Sequence, residues 1–148
     1  MSKPIPDVEK EIKVNLSQEY AFNLFTAEIG SWWPLAAHSV SESPASWHIE
    51  SRVGGRVYEV DVDGNQKQWG TVTEWDPAER VAFTWHPGRP ANTAQQITVT
   101  FAGTDQGTRV NLTHSGWEAL IEGEEQTRDT YMKGWDHVLG DYISKATA

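Results

Sequence analysis

The sequence contains no cysteine and comparatively little positive charge. Without cysteine, neither a disulfide framework nor a thiolate metal site can form. The 12 Lys and Arg residues are outnumbered by 21 Asp and Glu, which gives the 148-residue chain a formal net charge of -9. Because this charge repels phosphate backbones and anionic lipid headgroups, we expect neither nucleic acid nor a membrane as a partner.

Long apolar segments are also lacking. No run of the sequence approaches the roughly 20 apolar residues that span a bilayer, and the N-terminal MSKPIPDVEKEIKV has no apolar core of a signal peptide. We therefore expect a cytoplasmic protein. A length of 148 residues is typical of one domain, so residues 1–148 are predicted to form a single one.

Aromatic residues, by contrast, are abundant: the chain has eight Trp, four Tyr and four Phe. Bulky rings can simply fill a core, and this interpretation is the favoured one for any single Trp. Eight are nevertheless more than a small core usually needs, and ligand cavities are lined mainly by apolar and aromatic side chains. As a set, the tryptophans therefore favour a buried ligand site.

The segment from Val57 to Trp85 predicts three antiparallel strands joined by two turns. Asp63-Gly64-Asn65 tolerates the positive φ of a tight reversal, and Asp76-Pro77-Ala78-Glu79 has the signature of a type I turn. Other strands are predicted from apolar and polar residues that alternate with a period of two. The seven predicted strands span Val8–Leu16, Trp47–Arg52, Arg56–Val62, Gln66–Trp75, Arg80–Trp85, Ala94–Phe101 and Thr108–Ser115.

Two helices are predicted. Ser17 is placed as an N-cap for a short helix over residues 18–26, in which Tyr20, Ala21, Leu24 and Phe25 recur at helical spacing. Residues 35–45 show no periodicity and are predicted to form a surface loop or a frayed short helix. A long amphipathic helix, starting between Glu122 and Thr127, closes the chain. Its apolar arc consists of Tyr131, Trp135, Val138, Leu139 and Tyr142.

The order of these elements predicts an α+β fold. One strand, a short helix, six strands and a long helix form one curved antiparallel sheet of six to seven strands with the helices on one face. Short connections make the neighbouring strands antiparallel. Since the side chains of one helix cannot fill a concave sheet everywhere, the space between sheet and helix is the candidate site.

An ordered set of short motifs resembles a known superfamily. The motifs are Trp32-Trp33-Pro34, Gly54-Gly55-Arg56-Val57-Tyr58-Glu59, Trp69-Gly70-Thr71-Val72, Asp76-Pro77 through Phe83-Thr84-Trp85, Val99-Thr100-Phe101, Gly107 to His114 and Gly134-Trp135. Together they are similar to the SRPBCC (START-like) superfamily, and within it to the branch related to activators of the heat-shock-protein ATPase. The resemblance implies a helix-grip fold of the birch-pollen-allergen type, with a cavity between the sheet and the C-terminal helix. It implies no single activity, because the superfamily includes lipid carriers, hormone receptors, polyketide cyclases and co-chaperone domains.

The candidate ligand-binding residues combine the helix stripe with the apolar strand faces. Helix residues would cover the cavity and strand residues would form its floor, with plain core packing as the alternative. His114 is a candidate polar group at the cavity end, although a core or edge histidine bonded to backbone is the favoured interpretation. The full set is Trp33, Tyr58, Glu59, Trp69, Phe83, Trp85, Phe101, His114, Tyr131, Trp135 and Tyr142.

The phase of the strand Arg56–Val62 is left open. Hydrophobicity points Tyr58, Val60 and Val62 inward, whereas the superfamily resemblance implies that Val57 and Glu59 face the cavity. A one-residue change of phase reverses the whole face. Inside the cavity, Glu59 would be the best polar recognition group and would need a partner; outside, it would be an ordinary exposed Glu.

The sequence does not indicate a metal, cofactor or catalytic site. His48-Ile49-Glu50 puts two metal-capable side chains on one strand face without a third ligand. Asp61-Val62-Asp63-Gly64 lacks the later oxygen ligands of a calcium loop and is interpreted as a hairpin turn. No Ser/His/Asp arrangement, P-loop or dinucleotide fingerprint occurs. We therefore predict neither metal nor cofactor and assign no catalytic residue.

Three functions remain open from the sequence. The first is a small-molecule binding protein for an apolar or aromatic ligand, oriented by Glu59 or His114, with no catalysis required. The second is a cyclase- or hydratase-type enzyme, in which a cavity carboxylate or histidine moves protons. The third is a co-chaperone-like interaction domain, which would have an exposed apolar patch outside the cavity. The identity of the ligand and the formation of a homodimer are not decided.

Overall fold

The computed structural model describes residues 7–33, 44–86, 91–117 and 124–146 of the chain. Short 3-10 turns at Ile29–Ser31 and Ala91–Thr93 accompany the longer elements of this part. The strands are β1 Val8–Val14, β2 Pro44–Ile49, β3 Arg56–Asp61, β4 Gln66–Asp76, β5 Arg80–Trp85, β6 Gln95–Thr104 and β7 Gly107–Ser115. The helices are α1 Gln18–Phe25 and α2 Glu124–Ala146.

All seven strands belong to one antiparallel sheet that curls into a half-barrel. The strand order is β1-β7-β6-β5-β4-β3-β2, so β2 to β7 form a meander and β1 is added beside β7. In that last pairing Val8 lies opposite His114 and Ile12 lies opposite Val110. The predicted α+β helix-grip fold is confirmed, including the short helix after the first strand and the long C-terminal helix.

Strand ends differ from the prediction where turns and loops adjoin them. β2 begins at Pro44 rather than Trp47, within the predicted loop, and ends at Ile49 rather than Arg52. β6 continues to Thr104 because only Asp105 and Gln106 are needed to turn into β7. Most of the predicted 35–45 loop, and the turn predicted at 87–90, lie outside the described residues.

Helix α1 begins at its predicted N-cap and buries three of the four predicted apolar residues, Ala21, Leu24 and Phe25. The Ser17 hydroxyl accepts a hydrogen bond from the Tyr20 backbone N–H at 3.3 Å. Tyr20 itself is 69% exposed, whereas Phe22 is buried and packs edge to face on Phe101 of β6. Tyr20 is therefore the one wrong position of the predicted face, and the contact with β6 puts Phe22 inside in its stead.

The turn between β4 and β5 is not of the predicted type I. Ala78 has a φ of 70°, and a positive φ at the third residue is the mark of a type II turn. The turn hydrogen bond from the Glu79 N–H to the Asp76 carbonyl is present at 3.0 Å. The side-chain amide of Gln18 in α1 donates to the Ala78 carbonyl at 2.6 Å. Gln18 and Ala78 are distant in sequence, so the residues of the turn alone could not predict this contact.

Helix α2 lies against the sheet with the predicted apolar stripe inward. Trp135, Val138, Leu139 and Tyr142 are buried and Tyr131 is half-buried. On the flank of the helix, the Lys10 ammonium of β1 lies 2.9 Å from the Asp136 carboxylate. Helix α2 therefore covers the same sheet face that carries the core side chains of β1 and β7.

Gly70 allows β4 and β5 to approach each other closely. A Cβ at this position would overlap the Thr84 carbonyl oxygen, and the next residue's N–H is bonded to the Thr84 hydroxyl at 2.9 Å. We expect Gly70→Ala to lower the free energy of unfolding by about 3 kcal/mol in urea denaturation, because the strands must separate to admit the methyl group.

Gly140→Ala is the matched control for this substitution. Nothing lies within 4 Å of the added methyl on α2, so the better helix propensity of Ala should raise the free energy of unfolding by about 1 kcal/mol. Equal effects at the two glycines would contradict the close strand approach.

Candidate functional site

Five tryptophans meet between the sheet and α2. Trp33 follows α1 and its 3-10 turn, Trp47 lies on β2, Trp69 on β4, Trp85 on β5 and Trp135 on α2. All five are buried, with at most 7% of the residue surface exposed. Trp33 contacts the other four, at centroid distances from 4.5 to 6.2 Å. We call this set the tryptophan cluster.

The rings of Trp33 and Trp47 form a stacked pair. Their centroids are 4.5 Å apart and their planes differ by 7°. The other described ring pairs of the tryptophan cluster are tilted or edge to face, as between Trp69 and Trp85 at 88°. Trp33 and Trp47 thus form a flat aromatic wall in an otherwise angular arrangement.

Glu59 faces the tryptophan cluster. In β3, Val57 and Glu59 are fully buried, whereas Tyr58 and Val60 are only partly buried; Val62, just beyond the strand, is 66% exposed. The phase implied by the superfamily resemblance is therefore right, and the phase drawn from hydrophobicity is wrong. The Trp69 indole N–H donates to Glu59 Oε1 at 3.0 Å, which offsets part of the cost of burying a carboxyl group.

Tyr58, a predicted site residue, lies on the opposite face of β3. Its ring is 4.5 Å from the Arg56 guanidinium carbon and 5.1 Å from the ring of His48 on the neighbouring strand. These contacts pack an aromatic ring on a solvated face. Apolar periodicity does not distinguish this packing from core packing, and this is why the pattern pointed Tyr58 inward.

Trp47 lies directly opposite Glu59 in the register of β2 and β3. Side chains opposed in this way on one sheet face have Cβ atoms about 5 Å apart. The Trp47 indole Nε1–H is buried and has no hydrogen-bond partner within the part of the chain that the structure describes. Buried N–H groups are rarely left without a partner. We call Trp47 and Glu59, the two opposed residues with buried polar atoms, the polar corner of the tryptophan cluster.

His114 is held in one tautomer by two hydrogen bonds. Its Nδ1 accepts from the Trp135 indole N–H at 3.0 Å. The other ring nitrogen, Nε2, therefore carries the proton and donates to Gln95 Oε1 at 3.2 Å. The imidazole also stacks on the Trp117 ring, with centroids 4.0 Å apart. Burial lowers the pKa of His114 to about 3, so the ring is neutral and both nitrogens are occupied.

Tyr131 and Phe83 complete the surroundings of Trp85. The Trp85 indole N–H donates to the Tyr131 hydroxyl at 3.1 Å, and the Tyr131 ring lies 4.8 Å from that of His114. Phe83, two residues before Trp85 on β5, packs at a centroid distance of 5.9 Å. Glu59 and His114 thus bind different indoles, those of Trp69 and Trp135, which both contact Trp85.

Phe101 and Tyr142, also predicted for the site, lie nearer α1. Both rings pack against Phe25, at 5.9 and 5.2 Å respectively. The Tyr142 hydroxyl donates to the Ala21 carbonyl at 2.8 Å, and burial raises the pKa of this tyrosine. The structure therefore brings eight of the predicted residues together: Trp33, Glu59, Trp69, Phe83, Trp85, His114, Tyr131 and Trp135.

Three residues of this region were missed from the sequence: Trp47, Gln95 and Trp117. Trp47 and Ile49 are both buried on β2, and their period-two spacing was the available signal. Trp117 donates its indole N–H to the His114 carbonyl at 3.1 Å. Gln95 begins the buried phase of β6 that Ile97, Val99 and Phe101 continue, so its position was available as a signal although its polar side chain hid it. Trp117 lies beyond the end of β7 and belongs to no periodic pattern.

The described ranges contain no group of three or more His, Asp or Glu side chains that could hold a metal ion. His48 instead bonds the Ser46 hydroxyl at 2.8 Å, and the Arg56 guanidinium lowers the pKa of Glu50. Asp61 caps the hairpin turn, since its carboxylate accepts the Asp63 and Asn65 backbone N–H groups at 2.9 Å. No helix in this part of the chain is long and apolar enough to cross a membrane.

A surface depression of about 420 Å³ lies apart from the tryptophan cluster. It is lined by the end of β1 and by the β6–β7 hairpin, and includes Lys13, Asp105 and Arg109. Arg109 Nε is 3.7 Å from the Glu11 carboxylate. This depression is open to solvent, is lined by charges of both signs and lacks the aromatic lining of the tryptophan cluster.

A sheet that grips one long helix around buried aromatic and polar side chains defines the SRPBCC class of proteins, as the sequence motifs implied. The sequence profile of the family described as activator of Hsp90 ATPase homolog 1-like protein matches residues 15–147. The chain therefore belongs to this family, and the resemblance to its branch of the superfamily is confirmed. No curated protein matches the chain by sequence.

Solved structures share the fold over most of the chain. The anthrahydroquino-γ-pyrone synthase Txn09 is 36% identical, with a TM-score of 0.58 over 84% of this chain and 85% of the synthase. A Bacillus halodurans protein is 17% identical, with a TM-score of 0.71 over 99% and 100% of the two chains. The Aha1 protein of Colwellia psychrerythraea, solved as a dimer, is 17% identical, with a TM-score of 0.65 over 94% of each chain. The latter two similarities show the fold alone.

The buried His114 should make stability depend on pH. Its pKa is about 3 in the folded protein against an ordinary value of 6.5. Between these two pH values His114 is therefore protonated in the unfolded chain but neutral in the folded one. This contribution is fully present above pH 6.5 and is lost as pH falls towards 3. We expect the wild type to lose its advantage in unfolding free energy over His114→Gln by about 1.4 kcal/mol for each unit by which the pH falls. Urea denaturation at several pH values between 6 and 4 measures this.

His48→Gln is the control, since His48 is exposed and lies on the outer face of β2. The burial argument does not apply to this residue, so a change with pH as large as that of His114→Gln would contradict burial as the cause. A constant difference for His114→Gln would show that the imidazole is not held neutral by burial.

Proposed function

We propose that the protein binds a small, flat apolar or aromatic molecule in the tryptophan cluster. The observation that carries this proposal is the stacked pair of Trp33 and Trp47 beside the fully buried Glu59. Ligand sites of soluble proteins combine mainly apolar and aromatic walls with a few polar groups that fix orientation. The tryptophan cluster and its polar corner have this composition.

The separate origins of the rings support binding rather than packing alone. The stacked pair joins the segment after α1 to β2, while Trp135 comes from α2. Tryptophan supplies a large, rigid contact area at low cost in conformational entropy. A flat ligand would therefore pack against rings whose orientations the fold has already set.

The co-chaperone-like alternative finds no such support. Within the described ranges, the large apolar side chains that are exposed are Tyr20, Val53 and Val62. Tyr20 lies on α1, and the two valines lie in the turns at opposite ends of β3. Single exposed apolar residues of this kind are normal for a protein surface and form no patch.

Trp33→Leu tests the proposed binding site. The substitution removes the ring that contacts the other four members of the tryptophan cluster, so we expect the affinity for a flat aromatic such as fluorene to fall about tenfold, or 1.4 kcal/mol. Isothermal titration calorimetry measures this without relying on the fluorescence of the remaining tryptophans.

Trp75→Leu is the matched control, because Trp75 packs on Phe22 of α1 and not on the cluster. It should reduce stability but leave the affinity unchanged. If fluorene and fluorene derivatives do not bind the wild type at all, the proposed function fails.

A second candidate function is favoured by the 36% identity to a γ-pyrone synthase. In this case Glu59 would act as the general acid or base of a ring closure. His114 is unsuited to that part, since both of its ring nitrogens are already hydrogen-bonded. Of the two polar groups predicted from the sequence, only Glu59 lies in the polar corner with Trp47.

A model reaction tests this candidate. In 1-(2-hydroxyphenyl)-1,3-butanedione, the phenol oxygen attacks the distal ketone carbon and one water is lost, which yields 2-methylchromone. If Glu59 moves the proton, the wild type should accelerate this closure and Glu59→Gln should remove about 100-fold of the acceleration, as followed by absorbance. Binding of the diketone without acceleration would leave the binding function and contradict the enzymatic one.

A further inference from the structure

We infer that the Trp47 indole N–H is the polar recognition group of this site, and that its ligand is a flat aromatic ketone whose carbonyl oxygen accepts the hydrogen bond. The inference rests on the proposed function and adds to it the chemical class of the ligand. It also assigns the specificity to Trp47, a residue that the candidate site predicted from the sequence did not include.

The hydrogen bonding of the other tryptophans sets Trp47 apart. Each of five indole N–H groups has a named acceptor in the protein: Trp32 with the Leu24 carbonyl, Trp69 with Glu59, Trp85 with Tyr131, Trp117 with the His114 carbonyl and Trp135 with His114. Trp47 is 1% exposed, and its N–H has no acceptor among the described residues. An unbonded donor at this depth is unfavourable, and a ligand oxygen would relieve it.

The direction of an indole N–H restricts the shape of the ligand. This bond lies in the plane of the indole ring, so an acceptor that meets it in line lies at the ring edge. The carbonyl oxygen of an aromatic ketone lies in the plane of its own rings. A ketone that is coplanar with Trp47 is also parallel to Trp33, because those two indole planes differ by only 7°. One ligand orientation thus satisfies both the hydrogen bond and the stacking geometry.

The neighbouring carboxyl group argues for a neutral acceptor. Glu59 stands directly opposite Trp47 in the strand register and is fully buried. A ligand carboxylate at the Trp47 N–H would bring a charge and a second acidic group into a buried site, where the lost solvation of the charge opposes binding. The formal net charge of -9 opposes anionic ligands further.

Three related compounds test the inference on the wild-type protein by calorimetry. Fluorene and 9-fluorenone are flat tricyclic molecules that differ by one carbonyl group, and fluorene-9-carboxylate bears a carboxylate at the same position. We expect fluorenone to bind about tenfold more tightly than fluorene, and the carboxylate to bind more weakly than either. The absence of cysteine removes thiol addition as a complication.

The outcomes separate this inference from the proposed function. Equal affinities for fluorene and fluorenone would leave the aromatic site in place and overturn the role of Trp47. Tightest binding by the carboxylate would overturn the choice of a neutral ketone. Binding of none of the three would overturn the proposed function itself.

Trp47→Phe locates the effect on the indole. It removes the N–H but keeps an aromatic ring against Trp33. The preference for fluorenone should therefore disappear, so that fluorenone and fluorene bind with about equal affinity. Trp32→Phe is the matched control: it deletes an indole bonded to Leu24, outside the tryptophan cluster, and should retain the tenfold preference. A preference that survives in Trp47→Phe would refute the assignment.

A spectroscopic measurement on the wild type keeps the test independent of the variant's folding. In a ¹⁵N–¹H spectrum, fluorenone should move the Trp47 indole proton downfield as it forms a hydrogen bond, whereas fluorene should not. If the other indole protons respond to fluorenone but that of Trp47 does not, the carbonyl does not bind there.

Discussion

The hydrogen bond between the Trp135 indole and the His114 ring is the contact on which the arrangement of the core depends. Three aromatic residues of the apolar stripe of helix α2 use the polar atoms at the ends of their rings to bond the rest of the protein. Tyr131 accepts from Trp85, Trp135 donates to His114, and Tyr142 donates to Ala21. The first two bonds connect large rings of α2 with residues of β5 and β7 and so hold the helix axis one aromatic side chain away from the sheet, while the third bond connects α2 with α1. The other members of the tryptophan cluster occupy that space.

The polar groups of the core fall into two sets with different roles. On the β7 side, His114 is bonded through both ring nitrogens and covered by Trp117, which makes it a fixed part of the scaffold. On the side of β2 to β4, Glu59 and Trp47 are buried opposite each other, and the Trp47 N–H has no acceptor within the described part of the chain. Fixed polar groups orient a helix; a group that still needs a partner is suited to recognition.

The sequence was sufficient for the fold because its signals are local. Period-two alternation and turn residues defined the strands, and the stripe from Tyr131 to Tyr142 defined the inner face of α2. The errors arise where a distant contact decides. Gln18 binds the turn at Ala78, Phe101 selects Phe22 for the inner face of α1, and Arg56 supports Tyr58 on the outer face of β3. In β3, the pattern of apolar residues alone pointed the wrong way, and only the resemblance carried the right phase.

The energetic cost of the polar corner supports a functional role for it. A domain of this kind has a free energy of unfolding of about 5–15 kcal/mol, and a buried donor without a partner removes about 1–3 kcal/mol of it. A phenylalanine at position 47 would face Trp33 without that cost, so packing alone does not explain the indole. Departures from complete polar satisfaction are expected at functional sites. Here the Trp47 N–H has no acceptor within the described part of the chain and lies opposite the buried Glu59 on the adjacent strand, whereas the polar groups around His114 are bonded to one another. This asymmetry distinguishes the part of the core that holds the helix from the part that we propose as the ligand site.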